Sequence, residues 1–164
     1  MTQSSSVREE KFIKNFWDDD FFSDCPLDPE DWFDMFPFTL HTGNGKAKGT
    51  RSVWRAYNVQ KRKECPKSLV EALEILRQPS LSMFINVEDG ITHGLESHVD
   101  GMTVFSFGIL GRYEWVTQTL DGEVVKKYII EPGDLFINAP SIRHYVEILD
   151  FPRISFGAHE PNYK

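Results

Sequence analysis

Ser97-His98-Val99-Asp100-Gly101 stands near the middle of the chain, and His144 and Arg153-Ile154-Ser155 follow it. A strand sends alternate side chains to one face, so His98 and Asp100 reach the same point. A histidine from a neighbouring strand completes two imidazoles and one carboxylate on one side of an ion, and His144 is placed to supply it. Arg153 and Ser155 share a strand face in the same way. They offer a planar cation and a hydroxyl to a carboxylate.

The surroundings of these residues are β-rich. Leu81 to Val87 and Met102 to Leu110 are apolar runs, and Tyr113 to Leu120 reads as a strand after the Gly111-Arg112 turn. Asp121-Gly122 is a hairpin signal. Glu123 to Ile130 follows, then a turn at Glu131-Pro132-Gly133-Asp134. Leu135 to Asn138, Arg143 to Leu149 and Arg153 to His159 close the series. Seven or eight short strands with tight turns predict an antiparallel sandwich or barrel.

The first half reads differently. Met1 to Glu10 is a polar tail, and Lys11 to Phe22 has room for a short helix. Pro26, Pro29 and Pro37 break an acidic, aromatic-rich stretch into mixed turns. His41 to Thr50 reads as a loop, and Arg51 to Val59 as a strand. Pro66 opens a helix whose apolar face is Leu69, Val70, Leu73 and Leu76, and Pro79 ends it. The 164 residues fit one domain. Residues 11–80 would support a core at 81–164 and cover its substrate, because so small a barrel buries too little surface alone.

Composition excludes some functions. The net charge of −7 argues against general nucleic-acid binding. No apolar run is long enough to span a membrane. The first ten residues lack the apolar stretch of a signal peptide. Cys25 and Cys65 are too few for a disulfide framework, so the expectation is a reduced, intracellular, cytoplasmic protein. Eight acids lie between Trp17 and Gly45, and eight bases between Lys46 and Lys67. Either these are two solvated faces, or the basic run from Arg51 to Lys63 steers an anionic substrate. Gly43-Asn44-Gly45 lacks the Lys-Ser/Thr of a phosphate-binding loop.

Two histidines and one carboxylate on one side of a metal are the ligand set of non-heme Fe(II) sites. The segment His98-Val99-Asp100-Gly101-Met102-Thr103 resembles the first two ligands and following strand of the Fe(II)/2-oxoglutarate-dependent oxygenases. Glu131-Pro132-Gly133-Asp134-Leu135-Phe136 and His144 resemble the approach to the distal ligand. Arg153-Ile154-Ser155-Phe156 resembles the strand that holds the far carboxylate of 2-oxoglutarate. Ile109 to Trp115 also resembles the JmjC-like branch, but Tyr113 stands where that branch has a lysine. The departure favours Arg153 as the clamp.

The resemblance implies a mainly β fold, a double-stranded β-helix or cupin-like jelly roll, with N-terminal helical elements packed on it. It implies Fe(II) at His98, Asp100 and His144, with 2-oxoglutarate and O2 as co-substrates and ascorbate assisting in vitro. Arg153 and Ser155 would hold 2-oxoglutarate, with Tyr113 and Arg112 as further contacts. The implied reaction is hydroxylation, desaturation or ring formation on a small molecule, with a protein side chain as the second choice. Aspartate at 100 argues against halogen transfer, which needs a small residue there.

Plainer readings compete. A cupin acting without 2-oxoglutarate would share the barrel, but its first motif wants His-x-His and a nearby glutamate. A non-catalytic jelly-roll module using the acidic, aromatic N-terminal region is the other alternative. His93 reads as a loop residue at the pocket mouth, His41 as an exposed loop residue and His159 as structural or exposed. Trp115, Phe105 and Phe107 read as core, and Arg143 should face away from His144.

Overall fold

The computed structural model describes residues 10–42, 52–87 and 97–161. The tail through residue 9, the Gly43-Asn44-Gly45 loop and His93 lie outside the described residues. The first half contributes β1 (Lys11–Ile13), β2 (Thr39–Thr42) and β3 (Ser52–Ala56). The second half supplies β4 (Ser80–Asn86), β5 (His98–Val99), β6 (Val104–Leu110) and β7 (Tyr113–Gln118). It continues with β8 (Val124–Ile130), β9 (Leu135–Asn138), β10 (Arg143–Ile148) and β11 (Arg153–His159).

Two antiparallel sheets result. The larger runs β1-β9-β6-β11-β4-β3-β2 and the smaller β5-β10-β7-β8. They face each other across a small cluster in which Phe136 of the larger sheet packs with Tyr113, Trp115 and Ile130 of the smaller. This is the expected jelly roll, lengthened at one edge by β3 and β2 and at the other by β1.

The strand β11 explains the layering. Its even positions, Ile154, Phe156 and Ala158, join the core on the outer face of the larger sheet. Its odd positions, Arg153, Ser155, Gly157 and His159, line the interior pocket. On β4, Leu81, Met83 and Ile85 face outward into that core, while Phe84 reaches the pocket and Asn86 bonds to Arg153. A strand buried on both faces requires apolar cover on its outer side.

That cover is helical and aromatic. In α1 (Pro29–Met35), Asp28 caps the start by accepting from the Glu30 amide at 3.0 Å, and Pro29 takes the first turn. Trp32 is fully buried, stacks on Phe36 and meets Phe156 edge-on. In α2 (Lys67–Leu76), Leu69, Ala72, Leu73 and Leu76 face the sheet. Asp24 caps this helix from a distant turn, accepting from the Ser68 amide at 3.0 Å.

Four expectations change. Lys11 to Phe22 is not a helix: Phe12 pairs with Phe136 in β1, and hydrogen-bonded turns carry the chain through Trp17, Phe21 and Cys25. Sheet pairing at the β9 edge outweighs local propensity there. The stretch read as mixed turns holds α1. His41 belongs to β2 rather than to a loop. Val70 is exposed, one position off the buried face, and Ala72 takes its place. Among the described residues, no helix is long and apolar enough to cross a membrane.

Trp32 anchors the outer core through its ring and through a 2.8 Å bond from Nε1 to the Pro26 carbonyl. Trp32→Ala should cost about 3–5 kcal/mol, the range for emptying a large buried aromatic site. Urea unfolding checks this, and a loss below about 1 kcal/mol would show that α1 is dispensable cover.

Candidate metal centre and anion pocket

The strands β5 and β10 pair so that His98 lies directly opposite His144. Their rings approach to 4.4 Å between centroids. Asp100 follows β5 immediately, and its carbonyl accepts from the Ser141 amide at 2.9 Å. Its carboxylate stands 3.3 Å from Nε2 of His144 and 3.6 Å from Nε2 of His98. One ligand atom from each residue lies within 4.8 Å of the others.

This donor set fits a divalent ion. With metal–ligand bonds of about 2.1 Å, neighbouring ligand atoms sit roughly 3 Å apart. The two carboxylate–imidazole separations, 3.3 and 3.6 Å, are close to that value, and the three ligand atoms lie within 4.8 Å of one another. Burial acts to raise the Asp100 carboxyl, but hydrogen bonds with His144 and His98, and their charge, outweigh it. The carboxyl is held well below the usual carboxylate range. It is therefore ionised, as a metal ligand must be.

The inner nitrogen of His144 is also held. Nδ1 lies 2.9 Å from the Ile142 carbonyl and 3.2 Å from the Asn138 amide. With a proton kept on Nδ1 for Ile142, an ion would take the Nε2 lone pair by displacing the proton that Nε2 shares with Asp100. Oδ1 of Asn138 is buried without a partner among the described residues. Turning that amide over gives Oδ1 the Nδ1–H as a donor. Trp115 stacks on the His144 ring at 4.6 Å and 16°, fixing its plane. The tryptophan is thus both core and pocket wall, whereas Phe107 and Phe105 belong to the outer core.

At the other end of the same pocket lies Arg153, only 3% exposed. Nε and one terminal nitrogen donate to Oδ1 of Asn86 at 3.0 and 2.6 Å. The other terminal nitrogen donates to Oγ of Ser155. The Tyr113 ring lies beneath the guanidinium at 5.1 Å. Among the described residues no carboxylate pairs with it. Burial lowers its pKa to about 10, against the opposing pull of Tyr113. Among the described residues, dipoles and a ring surround this cation in the interior.

Tyr113 reaches the pocket and shares a 2.7 Å hydrogen bond with Ser106. Burial pushes its hydroxyl up to about 12. Arg112 does not reach it. Its Nε and a terminal nitrogen grip Asp150 at 2.9 and 3.2 Å on the exposed surface. Alternation along β7 and the positive φ of Gly111 send the two neighbours apart. A Cβ on Gly111 would stand 2.7 Å from the Pro152 carbonyl, so this tight turn needs glycine. Arg143 donates to Ser97 at 2.9 Å and does not line the pocket.

Two residues read otherwise or only as part of a run take definite places: His159, expected to be structural or exposed, and Arg55 of the basic run. His159 lines the pocket and shares a 3.0 Å hydrogen bond with Ser82. Arg55 and Phe84 line it as well. Asn86 and Asn138 carry no recognisable motif. The one signal available for them was a polar residue at the end of an otherwise apolar strand.

No protein-family model matches the chain, and no curated protein matches its sequence. Solved structures do match its shape. YcfD, a ribosomal oxygenase from Escherichia coli solved with cobalt and 2-oxoglutarate, superposes with a TM-score of 0.68 at 14% identity. That match covers 95% of this chain and 49% of YcfD, so the chain spans about half the length of that relative. SnoK, a non-heme α-ketoglutarate-dependent carbocyclase of nogalamycin biosynthesis, gives 0.65 at 12% identity over 94% of this chain and 79% of SnoK. SnoN, an epimerase of the same kind from the same biosynthesis, gives 0.63 at 10% over 94% and 78%. The chain has the double-stranded β-helix fold of these 2-oxoglutarate enzymes.

Direct ligands and their supports should separate in a Mn(II) titration followed by electron paramagnetic resonance. Asn138→Leu should weaken binding by about 10–100-fold, as expected when a support for a ligating histidine is lost. Alanine at His98, Asp100 or His144 should weaken it further, with the far-ultraviolet spectrum unchanged. Unaltered affinity in any of the three alanine variants would remove that residue from the centre.

Proposed function

We propose that the chain is a non-heme Fe(II)- and 2-oxoglutarate-dependent dioxygenase that oxidises a C–H bond of a small molecule. One observation carries the reading: a buried arginine without a carboxylate partner among the described residues shares a pocket with a His-Asp-His triad. Either element alone has a plain structural explanation. Together they provide a metal-binding end and a carboxylate-binding end, as a metal-chelating diacid requires.

His98, Asp100 and His144 would hold one side of Fe(II) and leave the opposite positions open. Bound there, Fe(II) would supply the oxidising chemistry, with 2-oxoglutarate and O2 as co-substrates. Arg153 and Ser155 would take the far carboxylate of 2-oxoglutarate. Asn86 holds the guanidinium edge and Tyr113 its face, so the arginine is oriented before the anion arrives. Phe84, Met102, Val104, Trp115 and Val146 line the space between and limit water. Asp100 fills the carboxylate position, which favours hydroxylation, desaturation or ring formation.

The comparisons support the general kind of chemistry through the fold, and they span both substrate types: YcfD is a ribosomal oxygenase and SnoK a biosynthetic carbocyclase. The preference for a small molecule rests on the apolar walls of the pocket, Phe84, Met102, Val104, Trp115 and Val146. A cupin reaction without 2-oxoglutarate would leave the Arg153 cation without a purpose.

Incubation with Fe(II), 2-oxoglutarate, ascorbate and air should yield succinate slowly even without a prime substrate. Truncating one partner of a partly dry Arg–carboxylate pair costs about 2–5 kcal/mol. Arg153→Ala should therefore raise the 2-oxoglutarate constant by at least about tenfold and leave Mn(II) affinity within about twofold. No succinate, or unchanged 2-oxoglutarate dependence in Arg153→Ala, would contradict the proposal.

A further inference from the structure

A second arginine enters this pocket from the lengthened edge of the larger sheet. Arg55 on β3 lies opposite Phe84 on β4, and Phe84 lies opposite Ser155 on β11. Arg55 is thus two strand steps, roughly 10 Å, from the proposed co-substrate clamp. Its guanidinium carbon sits 4.4 Å from the Tyr57 ring centroid and 5.1 Å from that of Phe84. The rings occupy its faces, so an incoming acceptor must come to its edge.

Among the described residues that edge is only partly served, by Tyr57. Nε is buried without a hydrogen-bond partner among the described residues. No carboxylate there lies within ion-pair distance of Arg55. Burial lowers its pKa, and only Tyr57 and the more distant Asp100 carboxylate pull the other way. His41, on the neighbouring strand, also has a buried Nε2 without a partner among the described residues.

Charge balance sharpens the point. Among the described residues, the charged side chains lining the pocket are Arg55, Asp100 and Arg153. On the dioxygenase reading, a divalent ion joins Asp100, and the 2-oxoglutarate dianion then meets the ion and Arg153. One positive charge is left over, and it resides on Arg55. The metal also takes up the Asp100 charge that steadies Arg55 in its absence.

We propose that Arg55 anchors the prime substrate, binding an oxyanion (carboxylate or phosphate) carried by the molecule to be oxidised. This rests on the dioxygenase reading for the role of the site, though anion binding at Arg55 is measurable without it. A neutral substrate would leave the loaded pocket with an unbalanced cation. An anionic one is held by its charged end while its carbon skeleton lies along Phe84 toward the triad.

The test uses Mn(II)-loaded protein with 2-oxoglutarate. The probes are hexanoate, 3-phenylpropanoate, butyl phosphate and the two amides hexanamide and 3-phenylpropanamide. Calorimetry gives affinity, and Mn(II)-induced relaxation of probe protons reports closeness to the metal. At least one anion should bind tenfold or more tightly than the amides and relax near the metal. Which anions bind distinguishes carboxylate from phosphate. Arg55→Gln should erase the preference, Arg55→Lys should keep part of it, and both should bind 2-oxoglutarate within twofold of wild type. Equal binding of anions and amides, or a preference surviving Arg55→Gln, would overturn the proposal. So would a tenfold loss of 2-oxoglutarate affinity in Arg55→Gln. If wild type fails to bind 2-oxoglutarate, the dioxygenase reading falls, and anion preference at Arg55, measured with Mn(II) alone, still decides this one.

Discussion

A guanidinium in a protein interior is costly unless something answers its charge. Arg153 is the position around which this molecule is arranged. Asn86 and Ser155 accept its protons, and the Tyr113 ring covers one face. None of these carries a negative charge. Among the described residues no carboxylate answers the cation, which dipoles and a ring hold inside. A ligand carboxylate that reached this point would find donors already oriented.

Holding such a group requires a stiff sheet. The strand β11 lies between β6 and β4, paired on both sides, so the path of Arg153 is fixed by two ladders. Its opposite face is sealed by Ile154, Phe156 and Ala158 against Trp32 and α2. The N-terminal half therefore acts at a distance, by supplying the outer layer that lets β11 carry polar residues on its inner face. It also acts directly, because β3 brings Arg55 into the same space. The smaller sheet has a simpler role. It sets His144 opposite His98 and places Asp100 beside both.

The triad and Arg153-Ile154-Ser155 were legible because strand alternation turns an i, i+2 spacing into a shared face. The later strands were legible for the same reason, helped by Asp121-Gly122 and Glu131-Pro132-Gly133-Asp134 at their turns. The N-terminal segment was not. Phe12 sits in a three-residue strand whose stability comes from β9, more than a hundred residues away. The α1 helix was hidden by its prolines, although Asp28-Pro29-Glu30 is a cap and first turn. Arg112 and Tyr113 could not be ranked without knowing which face of β7 is interior. Asn86, Asn138 and Arg55 matter through what they touch or fail to touch, which spacing cannot express.

If Arg153 is completed by an anion that also reaches the triad, a crystal structure of the Mn(II)–2-oxoglutarate complex will show it. Mn(II) should be bound by His98, Asp100 and His144, and chelated by the 2-oxo-acid end. The far carboxylate should lie about 2.7–2.9 Å from the Arg153 guanidinium, with Ser155 Oγ alongside. A metal bound elsewhere, or a 2-oxoglutarate whose far carboxylate makes no contact with Arg153, would contradict this picture of the pocket.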